Sequence, residues 1–284
     1  MSFLAIPSAV SWAQDSSCDK HVTQQVYNSA GDIVGTTRGA AVTLDVKLPA
    51  NTYVLDVKSA DVTGDAVRDD IFLLGQKEKT AIYASNIHIL IKNGATNHQD
   101  TVKFDRFGGY EAKLFVGDFT GDKVNDIMIT APTGGSGGIT GHMIVRANGA
   151  EPTVLFNDKT ENNGVKFTGQ FTDGFKAVLR NANTGQETSI DLGAKKDIYV
   201  DYQIYTADGR LLKQIKPYSY PFTVLEPVDY NCDGTYELQG VQRIVGAYGA
   251  DGIANVTSLW QYQVDKWVVK KIELTTLLYN DDMR

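Results

Sequence analysis

Three segments of the sequence place oxygen-bearing side chains at alternate positions of a short loop. They begin at Asp61, Asp118 and Asp229 and read DVTGDAVRDD, DFTGDKVNDI and DYNCDGTYEL. A hard divalent cation such as Ca²⁺ takes about six to eight oxygen ligands, which carboxylates, hydroxyls and carbonyls of a tight loop can supply. The spacing therefore predicts about three structural Ca²⁺ sites.

The candidate ligands lie at positions 1, 3, 5 and 9 of each loop, and the backbone carbonyl of position 7 completes each set. Asp70 replaces Asp69 if the first loop holds one extra residue. Gly64, Gly121 and Gly234 let the backbone turn sharply. Plain β-turns are the alternative, because Asp, Asn and Gly also favour turns. The candidates are Asp61, Thr63, Asp65, Val67 and Asp69; Asp118, Thr120, Asp122, Val124 and Asp126; and Asp229, Asn231, Asp233, Thr235 and Glu237.

Other metal and catalytic patterns fit less well. An EF-hand needs flanking helices and an acid at position 12, where the last loop has Gly240. Ser136 matches the G-x-S-x-G elbow, but it precedes a strand-like run instead of a helix. The four histidines, His21, His88, His98 and His142, lack metal-ligand spacing. A pair of carboxylates for glycoside hydrolysis stays open, since a sequence does not show their separation.

Strands must position these loops. Apolar residues recur with a period of two between clusters of Gly, Asn and Asp, which indicates an all-β fold. No long segment sustains helical periodicity. The predicted strands include 53–57, 71–74, 87–91, 113–116, 127–129, 143–145, 198–205, 259–264 and 267–274.

The Asp-rich loops mark an internal repeat. Asp61 and Asp118 start 57 residues apart, and Asp229 follows 111 residues later, close to two further periods. Between them, GQFTDGFKAVLRN from Gly169 matches the second repeat, but Gln170 replaces the first Asp, so we expect no metal there. The mean period of about 56 residues, a third of the distance from Asp61 to Asp229, suits one four-stranded propeller blade.

The period predicts a β-propeller-like domain of four or five blades, spanning residues 18–284. The repeats lie near 51–107, 108–163, 164–218 and 219–284. Strands within 18–50 complete a blade or add one by pairing with the C-terminal strands, which would remove exposed edges. A β-sandwich or an open array of repeats remains an alternative, because a sequence period does not prove closure of a ring.

The three loops resemble the calcium loops of FG-GAP and VCBS repeats, found in integrin-alpha-like propellers and in many secreted or surface proteins of bacteria. The resemblance covers roughly residues 50–280, and FGGY at 107–110 is similar to the FG element. It implies a calcium-binding β-propeller whose loops join the first two strands of each blade. Thr at position 3 of two loops departs from the fully acidic pattern and implies modest affinity.

Composition limits the partners and the location. The net charge of -7 and the pI of about 5.1 argue against nucleic acid, which needs clustered Lys and Arg. Residues 1–17 resemble a signal peptide that lacks a basic start, and no other apolar run is long enough for a membrane span. Secretion or attachment to a cell or spore surface follows. Cys18 and Cys232 either form one disulfide or remain two free thiols.

These features predict a binding or structural module and not a catalyst. Its partners would be calcium ions and a protein or glycan ligand. Tyr110, Tyr218, Tyr220 and Trp260 are candidate contact aromatics, although burial within blades is the alternative for each. A secreted glycan-acting hydrolase on a propeller scaffold and a structural protein of the spore coat or envelope are the other candidate functions.

Overall fold

The computed structural model describes residues 23–28, 33–38, 43–44 and 48–276. Its first three strands are β1 (Thr23–Asn28), β2 (Ile33–Arg38) and β3 (Thr43–Leu44). They bond to one another in the order β2-β1-β3, with β1 and β3 parallel. This first sheet holds the described part of 18–50.

The second sheet follows as an antiparallel meander, and a two-residue strand, β8 (Gly109–Tyr110), adds to the start of its third strand. The central strand β5 reads as one apolar run because both of its faces are covered. Ile71 and Leu73 point to one core, and Phe72 and Leu74 point to another. The four main strands are β4 (Thr52–Ala60), β5 (Asp69–Gln76), β6 (Tyr83–Lys92) and β7 (Gln99–Lys103).

The third and fifth sheets are four-stranded meanders in strict chain order, and the fourth sheet is a three-stranded one. Their strands alternate buried and more exposed residues where one face meets solvent. The third sheet comprises β9 (Lys113–Gly117), β10 (Asp126–Pro132), β11 (Thr140–Arg146) and β12 (Thr153–Phe156); the fourth, β13 (Phe167–Thr172), β14 (Lys176–Asn181) and β15 (Glu187–Asp191); the fifth, β16 (Tyr218–Val228), β17 (Glu237–Val245), β18 (Gly252–Gln263) and β19 (Lys266–Thr276).

One predicted strand is wrong. Within 198–205 the chain begins in a short helix, α1 (Lys196–Asp201), that follows a 3-10 turn at Gly193–Lys195. Lys195 and Tyr199 stand four residues apart, so this helical segment brings both to the same side. There Lys195 Nζ and Tyr199 Oη donate to the buried carboxylate of Asp251 at 2.6 and 2.9 Å. This shared partner favours helix over the strand that the apolar residues suggested.

Three hydrophobic clusters join the sheets in pairs. One lies between the second and third sheets, one between the third and fifth, and one between the fourth and fifth. Strand β17 shows how the fifth sheet serves two neighbours. Leu238 and Ile244 share a face of this strand, yet Leu238 packs with the third sheet and Ile244 with the fourth. The fourth sheet therefore lies beside the third, on the same face of the fifth.

Because the sheets are meanders, successive connections alternate between opposite ends. In the second, third and fifth sheets the connection from first to second strand carries an Asp-rich loop, at 61–68, 118–125 and 229–236. We call this the Asp-loop end. The connections from second to third strand, at 77–82, 133–139 and 246–251, lie at the opposite end.

The prediction of an all-β fold is confirmed, with several antiparallel sheets and one short helix in the described residues. Apart from β8 and the first residue of β16, Tyr218, the segments 51–107, 108–163, 164–218 and 219–284 hold the described strands of the second to fifth sheets in order. Within the described ranges, no helix is both long and apolar enough to traverse a membrane.

Candidate functional site

The three Asp-rich loops share one backbone conformation. In each, positions 4 and 6 adopt left-handed φ angles, a region that favours glycine. Only one of the two positions is glycine in any loop, so each loop also forces one ordinary residue into this region. The φ angles are 80° at Gly64 and 66° at Ala66, 80° at Gly121 and 69° at Lys123, and 57° at Cys232 and 88° at Gly234.

The carboxylate at position 1 holds the turn together from inside. Asp61 accepts hydrogen bonds from the backbone N–H groups of Gly64 and Ala66 at 2.7 and 2.8 Å. Asp118 accepts equivalent bonds from Gly121 and Lys123 at 2.6 and 2.8 Å. In the third Asp-rich loop Asp229 accepts from positions 5 and 6 instead, both at 3.0 Å. Position 1 therefore organises the loop backbone.

The acid at position 9 is buried in all three loops and closes the loop onto its start. The N–H of position 2 donates to it: Val62 to Asp69 at 2.9 Å, Phe119 to Asp126 at 2.9 Å, and Tyr230 to Glu237 at 3.1 Å. Asp69, and not Asp70, takes this part in the first loop.

Position 5 carries the exposed carboxylate of each loop. The position-5 carboxylate accepts the N–H of position 7, at 2.8 Å from Val67, 2.9 Å from Val124 and 2.8 Å from Thr235. Asp65, Asp122 and Asp233 are all solvent-exposed. Thr63 and Thr120 are half-buried, whereas Asn231 is exposed and donates to Asp233 at 2.8 Å.

Two asparagines that the sequence reading did not single out brace the first two loops from the neighbouring hairpins. Asn93 Nδ2 donates to Thr63 Oγ1 at 3.0 Å and to Asp65 Oδ2 at 2.8 Å. Asn148 Nδ2 donates to Asp122 Oδ2 at 2.7 Å. The signal was present, since each Asn precedes a Gly in a turn about 30 residues after the first Asp of its loop.

The surroundings move the pKa values of the acids in opposite directions. The bond from Asn93, followed by that from the Val67 N–H, lowers the pKa of the exposed Asp65. Burial raises the pKa of Asp126 to about 7; the Phe119 N–H opposes this, and the charges of Asp122 and Asp118 add to it. A carboxyl that is desolvated beside two like charges is stabilised in its charged form by a cation.

The loops also contact one another in a row. The backbone N–H of Asn125, at position 8 of the second loop, donates to the Asp61 carbonyl at 3.3 Å, and its Nδ2 donates to the same oxygen at 3.0 Å. The N–H of Tyr236, at position 8 of the last loop, donates to the Asp118 carbonyl at 2.7 Å. Position 8 of one loop thus bonds to position 1 of the loop before it.

The third repeat departs from this pattern. Strands β13 and β14 are joined by a tight hairpin at 173–175, with φ angles of 79° at Gly174 and 54° at Phe175. Gln170 lies within β13, opposite Val178. The repeat therefore has a two-stranded hairpin where the others have a nine-residue loop, and its sheet stands outside the row.

The donor set fits a hard cation in type and in order. Each loop offers oxygens at positions 1, 3, 5, 7 and 9. Asp118 Oδ1 already accepts three hydrogen bonds, and so does Asp69 Oδ2, so a cation at either oxygen would have to displace part of these bonds. The acids are spread around each loop. Within the part of the chain that the structure describes, no cluster of three or more His, Cys, Asp or Glu is arranged to hold a metal.

The other candidates lie apart. Ser136 is exposed in the 133–139 connection between two strands, without the helix that a nucleophile elbow requires. His88, His98 and His142 sit on different strands and turns. Cys232 is exposed in the last loop. Cys18, His21 and the segment 1–17 lie outside the described residues, so the disulfide and the signal peptide stay predictions.

Comparison with known proteins places these sheets in a family. A family model described as the YybI C-terminal domain matches residues 165–275, which span the fourth and fifth sheets and the cluster between them. The uncharacterized protein YybI of Bacillus subtilis (strain 168) is 31% identical over 215 residues, which cover 76% of this chain and 82% of YybI. No solved structure matches the chain. The chain belongs to the YybI family.

Proposed function

We propose that this protein is a calcium-stabilised, non-catalytic binding module that is secreted or held at a cell or spore surface. The observation that carries the proposal is the shared loop. Three loops of equal ligand spacing repeat the same bonds from position 2 to position 9 and from position 7 to position 5. Plain β-turns would not need this agreement over nine residues.

The frame that we propose is an incomplete propeller of FG-GAP type. The second, third and fifth sheets would be consecutive blades, which the contacts between their loops support. The first sheet would add a blade beside the second. The fourth sheet packs on the face of the fifth that also contacts the third, and we propose that it is an added sheet and not a blade within the series.

Calcium would bind at the oxygens of positions 1, 3, 5, 7 and 9 of each Asp-rich loop. Its charge would offset the repulsion among the acids and favour ionised Asp126. The ion would act as a structural clamp between the first two strands of a blade. Loops at the opposite end would remain available to a partner.

Metal analysis joined to thermal unfolding tests the proposal. Protein purified without chelator should contain about three calcium ions, and its melting temperature should fall on chelation and recover with calcium. At calcium concentrations about 100-fold above the Kd, one site contributes about 2.7 kcal/mol to the free energy of unfolding.

A variant carrying Asp61→Asn, Asp118→Asn and Asp229→Asn provides the control, because each Asn has nearly the size of Asp, keeps one of the two acceptor oxygens and loses the charge. Its melting temperature should not respond to calcium. If the unaltered protein melts at the same temperature in chelator and in calcium, the loops are turns and the calcium proposal fails.

A further inference from the structure

Six tyrosines gather at the end of the molecule opposite the Asp-rich loops. Four of them are exposed: Tyr83 by 42%, Tyr218 by 46%, Tyr248 by 39% and Tyr202 by 57%. Tyr110 and Tyr220 are half-buried between them. Trp260, in contrast, packs inside a core against Phe222, with ring centroids 6.2 Å apart.

The first pair lies on the second sheet. The rings of Tyr83 and Tyr110 meet edge to face, with centroids 5.2 Å apart at an interplanar angle of 74°. Gly134 lies against this pair: a Cβ built there would stand 2.3 Å from the Tyr110 ring. Only glycine allows the connection to pass so close.

The glycine-rich connection 133–139 leads from the first pair to the second. A Cβ at Gly137 would lie 3.5 Å from the Tyr220 ring, so the two ends of this connection touch Tyr110 and Tyr220 in turn. Between these ends a Cβ at Gly135 would meet only Thr133 Oγ1, at 3.9 Å, and Ser136 is exposed. The connection therefore presents few side chains where it passes between the two groups of tyrosines.

The remaining tyrosines continue the row across the fifth sheet. Tyr218 and Tyr220 are edge to face at 5.5 Å. A Cβ at Gly249 would stand 2.7 Å from the Tyr220 hydroxyl, which places the 246–251 turn directly beside it. On that turn Tyr248 meets Tyr202 edge to face at 5.6 Å.

A buried network fixes the last pair in place. Asp251 is almost fully buried and accepts hydrogen bonds from Lys195 Nζ at 2.6 Å, Tyr199 Oη at 2.9 Å and the Ala247 N–H at 2.8 Å. These bonds tie α1, which ends next to Tyr202, to the turn that carries Tyr248. Breaking a buried pair of this kind is costly, so the two rings are held in one arrangement.

We propose that this tyrosine row binds an uncharged linear polysaccharide, an inference that rests on the binding role proposed above. Flat exposed rings stack on the apolar faces of sugar rings, and phenol hydroxyls bond to their edges. A row that runs from the second sheet past the third to the fifth suits an extended polymer. The net charge of -7 disfavours polyanions such as nucleic acid.

Isothermal titration calorimetry of the full, calcium-loaded chain with a cellulose hexasaccharide and a chitin hexasaccharide tests the proposal. At least one should bind, and Tyr220→Ala and Tyr248→Ala should each weaken binding about tenfold, the effect of losing one stacking contact of about 1.4 kcal/mol. Val264→Ala is the control, since Val264 is 91% exposed in the turn between β18 and β19 and lies outside the Asp-rich loops. It should leave binding unchanged.

A second kind of variant keeps the proposal testable if the tyrosine variants fail to fold. Gly135→Val adds a side chain to the 133–139 connection, where its Cβ would meet only Thr133 Oγ1 at 3.9 Å. It should weaken binding without lowering the melting temperature. Absence of binding to both hexasaccharides, or equal weakening by Val264→Ala, overturns the proposal. The calcium-dependent shift in melting temperature is a separate readout. The proposal that the tyrosine row binds polysaccharide can therefore fail while the proposal of calcium binding stands, and the reverse.

Discussion

At the scale of single residues, the Asp-rich loops carry strain that glycine would relieve. Lys123 has a φ of 69° at the position that Gly234, with 88°, fills in the last loop. A side chain in this region brings Cβ close to a carbonyl oxygen and costs about 1 kcal/mol. Glycine at position 6 of the second loop, as in the last loop, should therefore stabilise the fold.

We expect Lys123→Gly to raise the free energy of unfolding in chelator by up to about 1 kcal/mol, because relief of strain exceeds the added entropy of the unfolded chain. Denaturant titration measures the change. Lys123→Ala is the control, as it removes the amine but keeps the Cβ. Equal effects of both substitutions would show that charge, and not φ, governs this position.

At the scale of elements, the contacts between position 8 and position 1 make the loops interdependent. Asn125 belongs to the second loop, yet both its backbone N–H and its Nδ2 bond to the Asp61 carbonyl in the first. A change in one loop should therefore alter ion binding in its neighbour.

We expect Asn125→Ala to weaken calcium binding in the first loop by roughly threefold to tenfold, since a hydrogen bond contributes about 0.5–1.5 kcal/mol. Calcium titration of a variant with the last two sites disabled by Asp122→Asn and Asp233→Asn isolates that loop. Asn183→Ala, on an exposed turn of the fourth sheet, is the control. An unaltered first site would show that the loops act independently.

The sequence allowed prediction of strands and loops where local pattern decides the structure. The apolar pattern located β6, β10 and β19, and ligand spacing located the three turns. It misassigned α1, because the partner that favours helix there, Asp251, lies about 50 residues away. It also passed over Asn93 and Asn148, whose bonds form only after hairpins fold against the loops.

At the scale of the whole molecule, buried polar groups line the junction between the third and fifth sheets. His142 Nδ1 lies 3.0 Å from Asn162 Oδ1, and the Phe222 N–H donates to the Asn162 carbonyl at 2.9 Å. Gln242, fully buried on β17, donates to the carbonyls of Asn163 and Tyr220 at 2.9 and 2.8 Å. The junction between the third and fifth sheets therefore depends on particular hydrogen bonds, and a charge placed among these buried groups would destabilise it.

The stability of this junction should fall in acid. Burial lowers the pKa of His142 to about 4 from 6.5, and its bonds with Asn162 and Thr140 oppose this. The folded protein therefore keeps the ring neutral while the unfolded chain takes up a proton. The contribution is complete above about pH 6.5 and is lost as pH falls towards 4, by about 3 kcal/mol in all.

Chemical unfolding at several pH values, compared between the unaltered protein and His142→Gln, isolates this contribution from that of nearby Asp158, whose pKa is raised by burial. The variant should lose less stability over this range. His98→Gln is the control, because His98 is exposed on a hairpin. If the two substitutions alter the pH profile equally, the junction histidine has no special part.

Which sheets stack on which could not be predicted from the repeat. The period places the fourth sheet between the third and the fifth in sequence, but Leu238 and Ile244 on one strand show that the fifth sheet contacts both. Packing depends on the shapes of faces, which a period does not encode. The family match at 165–275 coincides with the fourth and fifth sheets.

The alternation of connections between the two ends of each meander has an evolutionary consequence. An insertion into 77–82, 133–139 or 246–251 lengthens a turn at one end only, and the paired strands keep the other end in register. Relatives can therefore shorten, lengthen or substitute the connections at one end of the sheets while the Asp-loop end stays unchanged. A comparison of family members should therefore find more insertions and substitutions in the connections at one end of the sheets than in those at the other end.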